Sequence, residues 1–354
     1  MEIKTVGVVG AGTMGAGIAQ LLVQNDVEVR LYDVSEEILS RGEDRVQKGL
    51  ERAERPGAFS LLRKTTRMDS LAGCDMIIEA ASEDLSVKLD LFRKLDAILD
   101  PPRVLATNTS SLSISRIAGA TENPQRVVGM HFFNPATIMR LVEVVRGEQT
   151  AERSLEAAVA LAKDLGKTPV LCKDTPGFVV NRVARPFYLT GMRLVERGAG
   201  TPAAVDKAMR EGGFKMGPLE LVDLIGLDVN FAISTQIHQA LGSPERLKPS
   251  DLQATLVAKG FHGRKKAGGF YVYGENPPGT VNPAVEDFVP EMGARPLKPA
   301  EMLRTILEAV VQEARYAVNE GVATKEGVDT AMKLGMNWPK GPFEFEKSFP
   351  KGAA

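Results

Sequence analysis

The chain has 354 residues, 44% hydrophobic and 25% charged, with a net charge of −1. That is enough chain for two or three globular domains. The charge balance argues against a nucleic-acid partner, no apolar run approaches the roughly 18 residues of a membrane span, and two cysteines without CxxC or metal-ligand spacing argue against a disulfide scaffold or a metal site.

Met1 leads directly into a strand-like segment at 3–9, which leaves no room for a signal or transit peptide, so a cytoplasmic chain with reduced thiols is expected. The apolar run Val6-Gly7-Val8-Val9 ends at Gly10-Ala11-Gly12-Thr13-Met14-Gly15, a G-x-G-x-x-G. Residues 16–24 read as a helix and 27–32 as a second strand that closes on Asp33. Strand, glycine turn, helix, strand and terminal acid within about 30 residues form a dinucleotide-binding pattern. Gly10 makes the tight turn, Gly12 lets a pyrophosphate approach, and Gly15 lets helix and strand pack closely. The helix N-terminus offers amide donors and a positive dipole to the phosphates. Asp33 suits a ribose 2′-hydroxyl, and no Lys or Arg follows it closely, so NAD is favoured over NADP.

Residues 74–79 read as a strand, and 87–99 has helical spacing at Val87, Leu91, Leu95 and Ile98. Pro101-Pro102 breaks that helix, 104–107 is a strand, Asn108-Thr109-Ser110-Ser111 is a polar loop, and Ser113 caps a short helix at 114–118. This βαβ rhythm predicts a mostly parallel, doubly wound sheet, whose ligands lie beyond the carboxyl ends of its strands. Asp33, Glu79, Glu83 and the 108–111 loop all fall at such ends.

Two further strands, 127–133 and 140–145, would run antiparallel and set His131 opposite Glu143, since the two are symmetric about Thr137. An ionised Glu in an apolar strand is costly to bury without a partner, and a carboxylate orients an imidazole and stabilises its charged form. A structural His beside an edge Glu is the plainer alternative. Residues 159–167 read as a helix, 168–172 as a strand, and Asp174-Thr175-Pro176-Gly177 as a hinge.

Residues 178–198 read as a long helical stretch with a kink or break at Pro186; Asn181 near its start is a cap or a ligand contact. An internal repeat follows. Gly198-Ala199-Gly200-Thr201 and Val205-Asp206-Lys207-Ala208-Met209 match Gly321-Val322-Ala323-Thr324 and Val328-Asp329-Thr330-Ala331-Met332, and Gly217-Pro218 matches Gly341-Pro342. The second copy is truncated, and a Pro/Gly-rich linker at 274–283 separates the two. The expected organisation is an α/β Rossmann-like domain at 1–177, an all-α first copy at 178–283 and a second copy at 284–354. The basic runs Lys48/Arg52/Arg55 and Arg264-Lys265-Lys266 read as solvated faces before phosphate contacts.

Together these stretches resemble the 3-hydroxyacyl-CoA dehydrogenase family. The pattern is carried by Gly10–Gly15 with Asp33, Glu83 with Lys88, Asn108-Thr109-Ser110-Ser111-Leu112, His131-Phe132-Phe133-Asn134-Pro135, Leu141-Val142-Glu143-Val144, Asp174-Thr175-Pro176-Gly177-Phe178-Val179-Val180-Asn181-Arg182 and Met216-Gly217-Pro218. The resemblance runs from about residue 3 to 273. It implies NAD-dependent oxidation of (S)-3-hydroxyacyl-CoA to 3-ketoacyl-CoA, as in fatty acid β-oxidation, with His131 as general base and Glu143 as its orienter. It also implies that Ser110 and Asn181 hydrogen-bond the substrate's 3-oxygen. The cofactor would be held by Gly10, Ala11, Gly12, Thr13, Met14, Gly15, Asp33, Glu83, Lys88, Ser110 and Asn134. Asp84 and Ala81-Ser82 depart from the family pattern, and the family's CoA-binding serine and lysine have no clear counterpart near Gly49 and Pro56. The family dimerises through its helical domain. Here the second copy is expected to take the partner's place, giving a monomer or a homodimer through another surface. Association with a separate hydratase or thiolase is left open. Two other readings stand beside this one: a dehydrogenase of free hydroxy acids or sugar acids, and a non-catalytic NAD(H)-binding protein.

Overall fold

The apolar runs of the N-terminal half pair into a single sheet of eight strands. They are β1 (Thr5–Val9), β2 (Glu28–Tyr32), β3 (Leu62–Thr65), β4 (Met76–Glu79), β5 (Val104–Thr107), β6 (Val127–Phe132), β7 (Leu141–Arg146) and β8 (Thr168–Lys173), in the order β3-β2-β1-β4-β5-β6-β7-β8. The computed structural model describes residues 3–266, 268–274, 279–286 and 296–349, and it divides into two units, Met1–Phe178 and Val179–Ala354. The six strands β1 to β6 are mutually parallel; β7 turns back antiparallel to β6 and β8 follows β7 in parallel. Parallel strands are covered on both faces, which is why β4, β5 and β6 are buried from end to end.

The connections are α1 (Thr13–Gln24), α2 (Glu36–Arg52), α3 (Leu85–Ile98), α4 (Ile114–Ala118) and α5 (Glu152–Asp164). Ile18 and Leu22 of α1, Leu39 and Val46 of α2, and Leu155 and Leu161 of α5 close one core with Val6, Val8, Leu31 and Ile78. Three boundaries differ from the sequence reading. The strand expected at 74–79 starts at Met76, because Cys74 ends a turn through its N–H to Leu71. The helix expected at 159–167 starts at Glu152, since Leu155 and Ala158 continue its buried stripe. The helix at 87–99 starts at Leu85, capped by Asp84, whose carboxylate accepts from the Val87 N–H. A short polar side chain at 84 thus has a structural use.

In the second unit, the stretch at 178–198 is interrupted. Phe178 has φ 48°, and α6 (Val180–Val183) stops at Ala184 before α7 (Arg185–Glu196) begins. Pro186 sits in the first turn of α7, where a missing N–H costs no hydrogen bond. Then come α8 (Pro202–Glu211), α9 (Pro218–Ile225), α10 (Leu227–Ala240), α11 (Asp251–Ala258), α12 (Pro283–Glu286), α13 (Pro299–Asn319), α14 (Lys325–Gly335) and α15 (Pro342–Glu346). Of the linker at 274–283, residues 275–278 lie outside the described residues.

The repeat is a repeat of local chemistry. Thr201 caps α8 through the Ala204 N–H, and Thr324 caps α14 through the Gly327 N–H. Asp206 accepts from the Leu219 N–H at 2.9 Å, and Asp329 accepts from the Phe343 N–H at 2.8 Å. Arg210 pairs with Glu220, and Lys333 with Glu344. A side chain at Gly217 or Gly341 would run into Asp206 or Asp329, which explains glycine at both places. The first copy adds a lid: the Tyr271 hydroxyl donates to Asp206 at 2.5 Å and the Tyr273 hydroxyl to Asp223 at 2.8 Å. Burial pushes the carboxyls of Asp206 and Asp223 up to about 6 against these donors. Among the described residues, no phenol reaches Asp329 in the second copy.

Candidate active site

The site is built at the carboxyl ends of β1, β2, β4, β5 and β6, all within the first unit. β1 ends at Val9, and the turn that follows is held by the Gly10 N–H to the Tyr32 carbonyl at 2.8 Å. Gly10 has φ +99° and lies against Ala80, so only glycine fits. Gly15 lies on the Gly10 carbonyl: a Cβ there would stand 1.7 Å from that oxygen. A Cβ on Gly12 would meet nothing within 4 Å. That open space in front of the α1 N-terminus, which no side chain caps, is where a pyrophosphate would rest, with Ala11, Thr13 and Met14 completing the turn. At the end of β2, the Asp33 carboxylate accepts from the Ala11 and Ser35 N–H groups and so joins the two ends. These residues fit an adenine dinucleotide.

A chain of polar contacts runs across the ends of β4 and β5. Glu79 is buried, and its carboxylate takes the Lys88 ammonium at 2.6 Å, the Thr107 hydroxyl at 2.7 Å and the Ala81 N–H at 2.7 Å. Lys88, also buried, reaches Glu83 at 3.5 Å. Glu83 in turn accepts from the Thr109 hydroxyl and from both the N–H and the hydroxyl of Ser110. Burial opposes the Glu83 charge, but the Thr109 hydrogen bond and the Lys88 charge outweigh it and hold the carboxyl below its ordinary range. Glu79 was legible in the sequence only as a strand-end acid; the structure makes it the anchor of Lys88. Removing the cation leaves that carboxylate buried with too few donors. Lys88→Met is therefore expected to destabilise the first unit by about 3–5 kcal/mol, measured as a lower denaturant midpoint at unchanged slope.

The antiparallel register of β6 and β7 sets His131 directly opposite Glu143. The Nδ1 atom of His131 lies 2.7 Å from Glu143 Oε2, with the Glu143 side chain fully buried and the imidazole 9% exposed. This leaves Nε2 as the ring nitrogen available to a ligand. Phe133 and Phe178 flank the ring, at centroid distances of 4.4 and 5.9 Å. Asn108, unassigned by sequence reasoning beyond its loop, accepts from the Phe132 N–H at 2.8 Å and ties the Ser110 loop to the His131 strand. Asn134 is exposed in the turn after β6. The buried Lys167 ammonium holds that turn by donating to the carbonyls of Ala136 and Met139. Asn181 lies on α6 and belongs to the second unit. The basic runs at Lys48, Arg52 and Arg55 and at 264–266 face solvent.

The arrangement within the first unit has the parts of a proton-transfer site next to a dinucleotide turn: an oriented imidazole, a buried carboxylate behind it and a hydroxyl loop on the adjacent strand. Among the described residues, no helix is long and apolar enough to cross a membrane.

The chain resembles known proteins across both units. Residues 5–175 match the model of the 3-hydroxyacyl-CoA dehydrogenase NAD binding domain. The C-terminal domain model of the same family matches twice, at 177–273 and at 302–348, the second match about half as long as the first. The 3-hydroxyadipyl-CoA dehydrogenase of Escherichia coli is 36% identical over 428 aligned residues, covering 97% of this chain and 90% of that protein. The 3-hydroxybutyryl-CoA dehydrogenase of Mycobacterium tuberculosis is 42% identical, covering 77% of this chain and 99% of that protein. A crystal structure of 3-hydroxybutyryl-CoA dehydrogenase from Escherichia coli superposes with a TM-score of 0.90 at 34% identity, covering 98% of this chain and 92% of that one.

Proposed function

The chain belongs to the 3-hydroxyacyl-CoA dehydrogenase family, NAD-dependent oxidoreductases acting on CH–OH, and from that premise we propose that it interconverts (S)-3-hydroxyacyl-CoA and 3-ketoacyl-CoA, a reaction of the fatty acid β-oxidation type, with His131 as its general base. The observation that carries this reading is the buried 2.7 Å contact between His131 Nδ1 and Glu143. An ionised Glu143 favours the tautomer with its proton on Nδ1, in which Nε2 takes the proton of the 3-hydroxyl. Glu143 then stabilises the imidazolium that forms. Asn181 donates to the 3-oxygen, where negative charge builds in the reduction direction, and so does the Ser110 hydroxyl once it turns from Glu83, which keeps the Thr109 hydroxyl and the Ser110 N–H as donors. NAD, when bound, supplies the acceptor for the hydride at C3. Gly10, Ala11, Gly12, Thr13, Met14 and Gly15 receive its pyrophosphate, Asp33 its ribose, and Glu83, Lys88, Ser110 and Asn134 shape the nicotinamide end; the buried Lys88 acts there through Glu83.

The test is NADH oxidation with a series of 3-ketoacyl-CoA substrates, including acetoacetyl-CoA and 3-ketoadipyl-CoA, set against free hydroxy acids with NAD. Turnover of the CoA thioesters with a higher kcat/KM than any free acid supports the proposal. A folded, NAD-binding sample that turns over free acids only, or nothing, overturns it.

A further inference from the structure

We infer that the second helical copy braces Asn181, with Glu313 and Glu320 of α13 acting as positioning residues through Arg182. The inference rests on the reading that Asn181 contacts the substrate's 3-oxygen. α6 has only four residues and no side-chain cap, too short to fix its own orientation. Two buried guanidinium groups, those of Arg182 and Arg185, tie it to its surroundings. Arg185 donates from Nε to the Asn181 carbonyl at 2.7 Å. Arg182, the next residue in the chain, is fully buried and donates from Nε to Glu313 at 2.8 Å and from both terminal nitrogens to the two oxygens of Glu320, at 2.6 and 2.9 Å.

The two-pronged contact fixes the plane of the guanidinium as well as its place. Glu313 is itself fully buried and is held from its other side by Arg246 at 2.6 Å. A buried ion pair of this kind adds little net stability over apolar packing and is better suited to specifying geometry. A second observation points the same way. With Gly198 aligned to Gly321, the positions of Glu313 and Glu320 fall on Thr190 and Arg197 in the first copy, and neither carries a carboxylate. The acids belong to the second copy alone. That copy keeps the helix bearing them while lacking a counterpart of 219–228.

The experiment is a double-mutant cycle between Glu320→Gln and Asn181→Ala, since Glu320 is half exposed and its replacement by Gln keeps size and fold. In the otherwise native chain, Glu320→Gln is expected to lower kcat about tenfold with NADH affinity unchanged; in the Asn181→Ala background it adds nothing, the signature of coupled residues. Equal losses in both backgrounds, or no loss in the native one, overturn the brace. If Asn181→Ala alone leaves kcat untouched, the assignment of Asn181 to the substrate oxygen fails instead, and the brace for catalysis falls with it. Amide hydrogen exchange at 180–183 reads the mechanical claim without any activity: it accelerates in Glu320→Gln if the brace holds α6, and unchanged exchange rules the brace out.

Discussion

His131→Asn lowers kcat by about 10² to 10⁴, the usual worth of a positioned general base, while the affinity for NADH stays as it was. Asparagine is the sharper choice than alanine, because its amide nitrogen stands where Nδ1 stands and can still donate to the buried Glu143, while nothing replaces Nε2. Alanine would also take a donor from a fully buried carboxylate and open a cavity between Phe133 and Phe178, mixing a folding defect with a chemical one. The two parameters separate because the glycine turn and Asp33 that would hold the dinucleotide follow β1 and β2, other strands of the sheet than β6. Steady-state kinetics with a 3-ketoacyl-CoA and fluorescence titration of NADH check both halves. An unchanged kcat removes His131 from the mechanism.

The second large effect is expected from Gly15→Ala. In an ordinary helix this change is worth up to about 1 kcal/mol in favour of alanine. Here the added carbon would stand 1.7 Å from the Gly10 carbonyl oxygen, a backbone atom that cannot swing aside. The clash wins: the turn between β1 and α1 has to open, which costs about 1–3 kcal/mol or more of stability and moves the amide donors that a pyrophosphate needs. We expect a thermal midpoint lower by several degrees and NADH binding weaker by about 100-fold, a loss of roughly 2.7 kcal/mol. Gly12→Ala serves as the contrast. Its Cβ meets open space, so the variant should melt like the native chain and still lose cofactor affinity, because the methyl group occupies the space left for the ligand. Native affinity in either variant would show that the turn does not hold the dinucleotide.

Much of the first unit was legible because its signals are local. The glycine turn, the acid at the end of β2 and the symmetry of His131 and Glu143 about Thr137 each depend on a few adjacent residues, and the β6–β7 register delivers the facing pair that this symmetry predicts. What went unread depends on partners far along the chain. β3 is a short edge strand with a single buried residue, Leu62, so its apolar pattern is faint. α2 has its buried Leu39, Val46 and Leu50 diluted by a charged outer face. The role of Glu79 required knowing that Lys88, one turn into α3, folds back beneath it. The carboxylates that meet Arg182 stand 131 and 138 residues away, and no spacing rule links them. Pro186 marked an interruption correctly, but only the structure shows that Ala184 is where the helix stops.

The doubled aspartate contact has a consequence for how the second unit comes together. Asp206 with Leu219 and Asp329 with Phe343 close loops of 13 and 14 residues, whereas the Arg182–Glu313 contact closes one of 131. Chain entropy disfavours the longer closure by about 2 kcal/mol relative to the shorter ones. Each copy can therefore acquire its own turn while the chain between them is still unstructured, and the union of α13 with α6 and α7 is expected to come later. On that expectation the repeat offers two separate starting points for folding and the ion pairs between its halves close last, an order that φ-values lower at Glu320 than at Asp206 and Asp329 would check.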